Sequence, residues 1–324
     1  MKDTKYTEIR KFILSKSFDL GIKMDDILRY DEEHRYYHNM EHIVDMVSIA
    51  KDLNILTDDL FLAIIFHDII YDPRLNDNEE KSAELFSKYF PKKNAKNKLI
   101  KNAILETKTH KYTSELSKQL CDLDLNILHS DFKTFMDFEH KIFKEYQFVD
   151  YKTYKTERVK VLKSLGVKSD YIDYVENRNV NIGLYCGSFD PFHIGHKNIL
   201  EKAEKIFDKV IIARGKNPGK IQGDYKSFPD ELKYYQIETY YKLLSDYINN
   251  LEYDVTLIRG LRNATDLEYE KTQLQYLKDF KPDINVISIF CDKEFEHISS
   301  SAIKQLAKIN IHLANKYSLI KYKN

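Results

Sequence analysis

The sequence predicts two domains, an all-α domain followed by an α/β domain built on a parallel sheet. Three observations carry that expectation. Up to about residue 170, apolar residues recur at three- and four-residue spacing, with few glycines before Gly166; this is the period of amphipathic helices. From Val180 onward, short apolar runs alternate with amphipathic stretches, the texture of parallel strands joined by crossover helices. Between the two textures lies the polar stretch "GVKSDYIDYVENRN". The expected organisation is a helical domain over residues 1–170, a linker over 171–180 and an α/β domain over 181–324.

The helical elements follow in order. "HNMEHIVDMVSIAKDL" and "TDDLFLAIIFHDII" read as helices, and "NEEKSAELFSKYF" and "NKLIKNAILETKTH" continue the pattern with Pro91 punctuating between them. In the second half, "VNIGLYC", "KVIIAR", "DVTLIRG" and "INVISIF" read as strands. The chain has no internal repeat and no low-complexity segment.

Composition narrows the function classes. Fifty-one basic side chains balance fifty-one acidic ones, so no global field draws nucleic acid or an anionic membrane, and neither is expected as a partner. No apolar run approaches the ~18 residues of a membrane-spanning helix. Cys121, Cys186 and Cys291 stand far apart without paired metal spacing. An odd count with no secretory signal is expected of a reduced, cytoplasmic protein. The oligomeric state is open, a homo-oligomer included.

The helical half carries a mixed histidine and carboxylate set. "YYHNMEH" places His38 and His42 four apart, so on a helix both rings share a face. His67 and Asp68 are adjacent in "AIIFHDIIYD", and "CDLDLNIL" supplies Asp122 and Asp124. Such a set suits a divalent ion with an open coordination position, where bound water becomes a nucleophile. A lone His-Asp dipeptide is commonly exposed or hydrogen-bonded without metal. The ordered recurrence on successive helices is what points to a site. Residues 30–150 resemble the HD superfamily of metal-dependent phosphohydrolases, through "HRYYHNMEHI", "FHDIIYDPRLNDNEEKSA" and "DLDLNIL" in sequence. The resemblance implies a divalent metal (Mn2+, Fe2+, Zn2+ or Mg2+) held by His42, His67, Asp68 and Asp124, with Asp124 preferred over Asp122. It also implies His38 as the acid that protonates the leaving oxygen. His110 reads equally as a member of this pocket or as a surface residue.

The α/β half carries a different cluster. In "GLYCGSFDPFHIGH" a strand is expected to end at Gly187 and a helix to start near Gly195. Glycine lets backbone amides approach a phosphate, and a helix N-terminus favours negative charge. His193 and His196, three apart at that terminus, are placed to donate to phosphate oxygens. "NPGK" adds Lys220, "IRGLRNATDLEYE" adds Arg259, Arg262 and Glu270, and "ISSSAIKQLA" adds a helix start at Ser299, Ser300 and Ser301. Singly these are a solvated cation or a helix cap; together they suit a nucleoside triphosphate in an open α/β sheet.

Residues 182–309 resemble phosphopantetheine adenylyltransferases, of the HxGH nucleotidyltransferase superfamily, through "GSFDPF…GH", "KIFDKVIIARGKNPGK", "IRGLRNATDLEYE" and "ISSSAIKQLA". The resemblance implies a Rossmann-like fold and transfer of AMP from ATP, taken with Mg2+, to a small phosphorylated acceptor. His196 would stabilise the α-phosphate and Lys220 would orient the acceptor. Arg262 and Ser299–Ser301 would hold the outer phosphates. Gly187, Ser188, Phe189, His193, Arg259 and Glu270 would complete the nucleotide site. The chain departs from the family pattern in four places: Ser188 stands for a threonine, His193 for a non-histidine, Leu277 for an asparagine that binds the pantetheine arm, and Tyr241-Lys242 for a small acidic-Gly step. 4'-Phosphopantetheine is the expected acceptor. The alternative is nicotinamide mononucleotide, with a helical domain that only senses nucleotides.

Overall fold

The computed structural model describes residues 2–216, 228–241 and 243–322; Lys220 and Lys242 lie outside them. The chain forms two compact units, residues 1–146 with 165–171, and residues 147–164 with 172–324.

The first unit is helical: α1 (Lys2–Asp19), α2 (Met24–Ile27), α3 (Met40–Asp52), α4 (Asp58–Phe66), α5 (Asn78–Tyr89), α6 (Ala95–Glu106), α7 (Glu115–Asp124) and α8 (Phe132–Glu145). Its centre is α4. Every residue from Leu60 to Phe66 is buried there, because a helix apolar on all sides has to sit inside its neighbours. Fully burying side chains such as Phe61, Ile64 and Phe66 stabilises the unit by on the order of 1.5–3 kcal/mol each. Caps fix where the helices begin. Thr57 accepts from the Leu60 amide to start α4, Asn39 accepts from the Glu41 and His42 amides to start α3, and Ser114 and Ser117 form a capping box on α7. Helix α3 therefore begins after His38, which lies in the preceding turn. The shared helical face expected for His38 and His42 does not form.

The second unit begins with α9 (Tyr151–Ser164), and the division between the units falls within α10 (Ser169–Asn177). It continues with β1 (Ile182–Gly187), α11 (Ile194–Ala203), β2 (Lys209–Gly215), β3 (Ile237–Tyr240), α12 (Leu244–Asn249), β4 (Thr256–Leu261), α13 (Ala264–Phe280), β5 (Asn285–Phe290), α14 (Ser300–Ile309) and α15 (Ile311–Tyr317). The five strands make one sheet in the order β3-β2-β1-β4-β5, parallel throughout. The four runs read from sequence form β1, β2, β4 and β5. Strand β3 is an addition: it is short and, among the described residues, pairs only with β2, so it needs no continuous apolar run to be held.

The expectation that the first domain runs to residue 170 differs from this division at α9. Lys209, in β2, is almost fully buried and donates to the backbone carbonyls of Gln147 and Val149. Burial pushes its ammonium down to about 7, against the pull of Asp150 and Glu238. Tyr253 donates to Asp150 at 2.7 Å, so the segment leading into α9 is bound to the sheet unit. Cys121, Cys186 and Cys291 are free. Among the described residues, no helix is long and apolar enough to cross a membrane.

The centre of the sheet tolerates little added volume. A Cβ at Gly183 would stand 2.6 Å from Ile258 Cδ1 and 2.8 Å from Phe207 Cδ2, both core side chains. Gly183→Ala is expected to destabilise the α/β unit by about 1–3 kcal/mol, seen as a lowered unfolding midpoint of that unit. An unchanged midpoint would show that the core can accommodate the methyl group.

Candidate functional site

Chain order and strand order together locate the first site. From β1 the chain moves outward through β2 to β3, then returns to the other side of β1 at β4. Loops leaving β1 and β4 diverge there, and such switch points open a crevice at the carboxyl ends of the strands. A cavity of about 470 Å3 occupies this place, lined among others by Gly187, His193, His196, Arg259, Arg262 and Ser299.

The loop after β1 is shaped by close approach. A Cβ at Gly187 would meet the Phe189 ring at 2.9 Å, while Phe189 itself takes a positive φ of 46° and is buried. The loop then delivers His193 as the N-cap of α11. The two histidines cap each other. His196 N donates to His193 Nδ1 at 3.3 Å, and His193 N donates to His196 Nδ1 at 3.4 Å. Their rings stack with centroids 3.6 Å apart. Because each Nδ1 accepts, the proton of each neutral ring resides on Nε2, which becomes a donor. Burial, reinforced by Arg262, pushes His193 down to about 4. Burial, with His193 and Arg262, holds His196 well below the usual histidine value. Both rings are therefore neutral donors at neutral pH.

The cations come from the β4 side. Arg262 is gripped by Asp266 on both edges, Nε to Oδ2 and Nη2 to Oδ1, each at 2.8 Å, and Arg259 pairs with Glu270 at 3.1 Å. Ser299 caps α14 through the Ala302 amide. Ser300 lines the cavity and donates to the Pro191 carbonyl at 3.1 Å. Lys304 of the same helix pairs with Asp190. Ser188 also lines the cavity, whereas Ser301 is exposed on the first turn of α14. Leu277, on α13, is buried beside Leu257, Leu267 and Val286. Tyr241 is largely exposed. Sequence reasoning missed Asp266 and the cavity-lining Tyr269; the i,i+4 spacing from Arg262 was a signal for the first.

A second site lies in the helical unit. His42 enters it from the first turn of α3, His67 from the C-cap of α4, and Asp124 from the end of α7. One ligand atom from each falls within 4.8 Å of the others. Asp124 Oδ1 stands 3.2 Å from His42 Nε2 and 3.9 Å from His67 Nε2, and Asp68 Oδ2 stands 3.2 Å from His67 Nε2. Both Nε2 atoms are buried without a hydrogen-bond partner, a costly arrangement unless something sits between them. His67 Nδ1 is engaged by the Ile64 carbonyl at 2.8 Å. Burial pushes His67 down, but Asp68 and Asp124 more than reverse this, to about 9: the carboxylates favour positive charge at this point. Two imidazole nitrogens and a carboxylate oxygen fit a divalent cation, with Asp68 adjacent. Asp122 is exposed, and His110 Nε2 reaches Asp124 Oδ2 at 3.3 Å.

His38 faces the same cluster through a network the sequence did not reveal. Its Nδ1 lies 2.6 Å from Glu145 Oε2, and Glu145 also accepts from the amides of Tyr37 and His38 and from the Tyr71 hydroxyl. Tyr71 stacks on the His38 ring at 4.4 Å. Burial pushes His38 down, but Glu145 more than reverses this, so the ring sits above the usual histidine value.

Comparison with known proteins adds independent information. Residues 184–306 match the cytidylyltransferase-like family. The phosphopantetheine adenylyltransferase of Rhodopirellula baltica is 32% identical over 143 residues, which cover 40% of this chain and 76% of that protein. The phosphopantetheine adenylyltransferase of Streptococcus pneumoniae is 34% identical over 142 residues, 41% of this chain and 87% of that protein. That of Streptococcus suis is 36% identical over 135 residues, 39% of this chain and 82% of that protein.

The mutual histidine cap has a pH signature. His193 moves from 6.5 to about 4 in the fold, so the unfolded chain takes the proton first. Its contribution is complete above about pH 6.5 and is lost as pH falls toward about 4. His193→Asn keeps a capping acceptor without a titrating ring. The wild type is expected to lose more thermal stability than this variant between pH 7.5 and pH 5, and parallel losses would contradict the assignment.

Proposed function

The chain belongs, through its α/β unit, to the phosphopantetheine adenylyltransferase family, and on that premise we propose that it transfers AMP from ATP to 4'-phosphopantetheine, releasing pyrophosphate and forming dephospho-coenzyme A. Mg·ATP is the donor substrate. An oxygen of the acceptor phosphate bonds to the α-phosphorus as the bond from that phosphorus to the bridging oxygen breaks, and the electron pair leaves with pyrophosphate. Such a step needs alignment and charge stabilisation more than covalent help from the protein. His193 and His196 offer neutral Nε2–H donors to the α-phosphate. Arg262, fixed by Asp266, and the start of α14 at Ser299 and Ser300 hold the outer phosphates. Arg259 and Glu270 brace the nucleotide side. The observation that carries this reading is the stacked, mutually capped histidine pair at the α11 N-terminus, facing Arg262 across the cavity. The proposed use of ATP and a coenzyme precursor places the activity in the cytoplasm.

The helical unit supports a second activity. Its three convergent donors and two unpartnered buried imidazole nitrogens favour a metal-dependent phosphohydrolase of HD type. A divalent ion held by His42, His67 and Asp124, with Asp68 beside it, would acidify water and neutralise ester charge. His38, with Nδ1 fixed by Glu145, presents its other nitrogen to protonate a leaving oxygen.

Separate variants test the two activities. His196→Ala is expected to lower pyrophosphate release from ATP and 4'-phosphopantetheine by roughly a hundredfold or more, with ATP affinity little changed. Nicotinamide mononucleotide is expected to be a poor acceptor beside it; turnover of the mononucleotide alone would overturn the substrate assignment. His67→Ala is expected to lose Mn2+ binding by calorimetry and hydrolysis of phosphomonoesters, while adenylyl transfer persists. Undiminished hydrolysis would remove His67 from the hydrolytic site.

A further inference from the structure

The loop that carries the histidine pair, Ser188 to His193, belongs to no helix or strand. Phe189 takes its positive φ of 46° there, a conformation an aromatic residue keeps only where its surroundings impose it. Contacts that impose it come from the C-terminal part of the chain, on four consecutive loop residues. Lys304 of α14 pairs with Asp190, and Ser300 Oγ donates to the Pro191 carbonyl at 3.1 Å. The Leu319 amide donates to the Phe192 carbonyl at 3.3 Å, and Ser318 forms an antiparallel bridge with His193. Leu319 also packs against the core that holds Phe189 and Phe192, whose rings lie 5.1 and 5.3 Å from His196. The segment after α15 is therefore a strap across the histidine loop.

A strap needs an anchor, and Asn315 of α15 supplies it. Its Oδ1 accepts from the Tyr322 amide at 2.7 Å, and its Nδ2 donates to the Tyr322 carbonyl at 3.1 Å. One side-chain amide thus satisfies both backbone groups of one residue, as a neighbouring strand would. Ser318 Oγ closes the turn between, donating to the Ile320 carbonyl at 2.6 Å and accepting from the Ile320 amide at 3.2 Å. Tyr322 is held on the apolar cluster of Ile298, Ile303 and Ala314, on which Ile194, the first residue of α11, also packs. A short segment without such ties opens readily. Opening would release the Phe192 carbonyl and the bridge at His193 together.

We propose that Asn315 is a positioning residue for adenylyl transfer: by folding residues 318–322 back on α15, it straps the loop that aims the His193 and His196 rings. This rests on the reading of the cavity as an adenylyl-transfer site. Asn315, Ser318 and Leu319 are not among the residues that line the cavity, so they act through the loop and not on the nucleotide. The expected signature is a loss of turnover without a loss of ATP binding, because Arg259, Arg262 and the start of α14 remain in place.

The experiment takes the full chain and its variants Asn315→Ala, Asn315→Asp and Ser318→Ala through three measurements. These are pyrophosphate release from ATP and 4'-phosphopantetheine, ATP affinity by calorimetry, and amide hydrogen exchange at His193, His196 and Leu319 beside that of Leu184 and Tyr185 in β1. Asn315→Ala is expected to lower turnover by roughly ten- to a hundredfold, since a small misplacement of a catalytic group suffices. ATP affinity should be little changed. Exchange at His193, His196 and Leu319 should rise by roughly tenfold, the worth of one or two hydrogen bonds, while the β1 amides keep their protection. Asn315→Asp keeps the acceptor for the Tyr322 amide without the donor and should fall between. Ser318→Ala loosens the strap at its other end and carries the test if the Asn315 variants do not fold. Unchanged turnover, turnover lost in step with ATP affinity, or exchange raised equally in β1 would overturn the assignment of Asn315. A wild type that transfers no adenylyl group, with exchange still raised only in the loop and strap of the variants, would overturn the reading of the cavity and leave Asn315 as the anchor of the histidine loop.

Discussion

The N-terminus of α11, set against the carboxyl ends of β1 and β4, is the constraint on which the chemistry of the α/β unit depends. A parallel sheet whose order reverses beside β1 leaves a crevice, and the first helix after β1 points its unpaired amides into it. Two of those amides are taken by imidazole nitrogens, His193 capping at 196 and His196 capping back at 193. The cap serves the helix and the site together. It satisfies backbone donors, fixes both ring orientations and forces both protons onto Nε2. A serine or aspartate would cap the helix equally well but would leave no ring nitrogen to donate.

Charge is distributed around this pair in a consistent way. The histidines are kept neutral by burial and by Arg262, so positive charge at the site comes from the arginines. Arg262 is braced by Asp266 and Arg259 by Glu270, which positions both guanidinium groups before any ligand arrives and reduces the ordering cost of binding. The helical unit uses the opposite arrangement. There carboxylates surround histidines and favour positive charge at the cluster, as a site for a cation would.

How much of this was legible in the sequence follows from which physical signal each feature leaves. The apolar period of α3 to α6 and the short apolar runs of β1, β2, β4 and β5 are strong signals because burial imposes them. Strand β3 leaves almost none, being short and half-exposed at the sheet edge. The four-residue spacing puts His38 on the helix of His42, but that helix starts two residues after His38; Asn39 ahead of an apolar periodic run is the N-cap signal for that start. The site histidines and arginines were legible from spacing within single motifs. Glu145 was not, because its link to His38 spans 107 residues and exists only through packing. The tie of the segment before α9 to the sheet unit is a buried lysine in β2 reaching the backbone carbonyls of Gln147 and Val149, a bond with no local sequence mark.

The central claim is that the cavity at the end of β1 and β4 transfers the adenylyl group and not another part of the nucleotide. The measurement that tests it most directly follows radiolabel from ATP into acceptor, with the label placed either on the α-phosphorus or on the γ-phosphorus. Incubation of the full chain with 4'-phosphopantetheine should move α-label into the acceptor product and γ-label into pyrophosphate. Appearance of γ-label in the acceptor, or release of γ-label as orthophosphate with no α-label transferred to acceptor, would contradict the account.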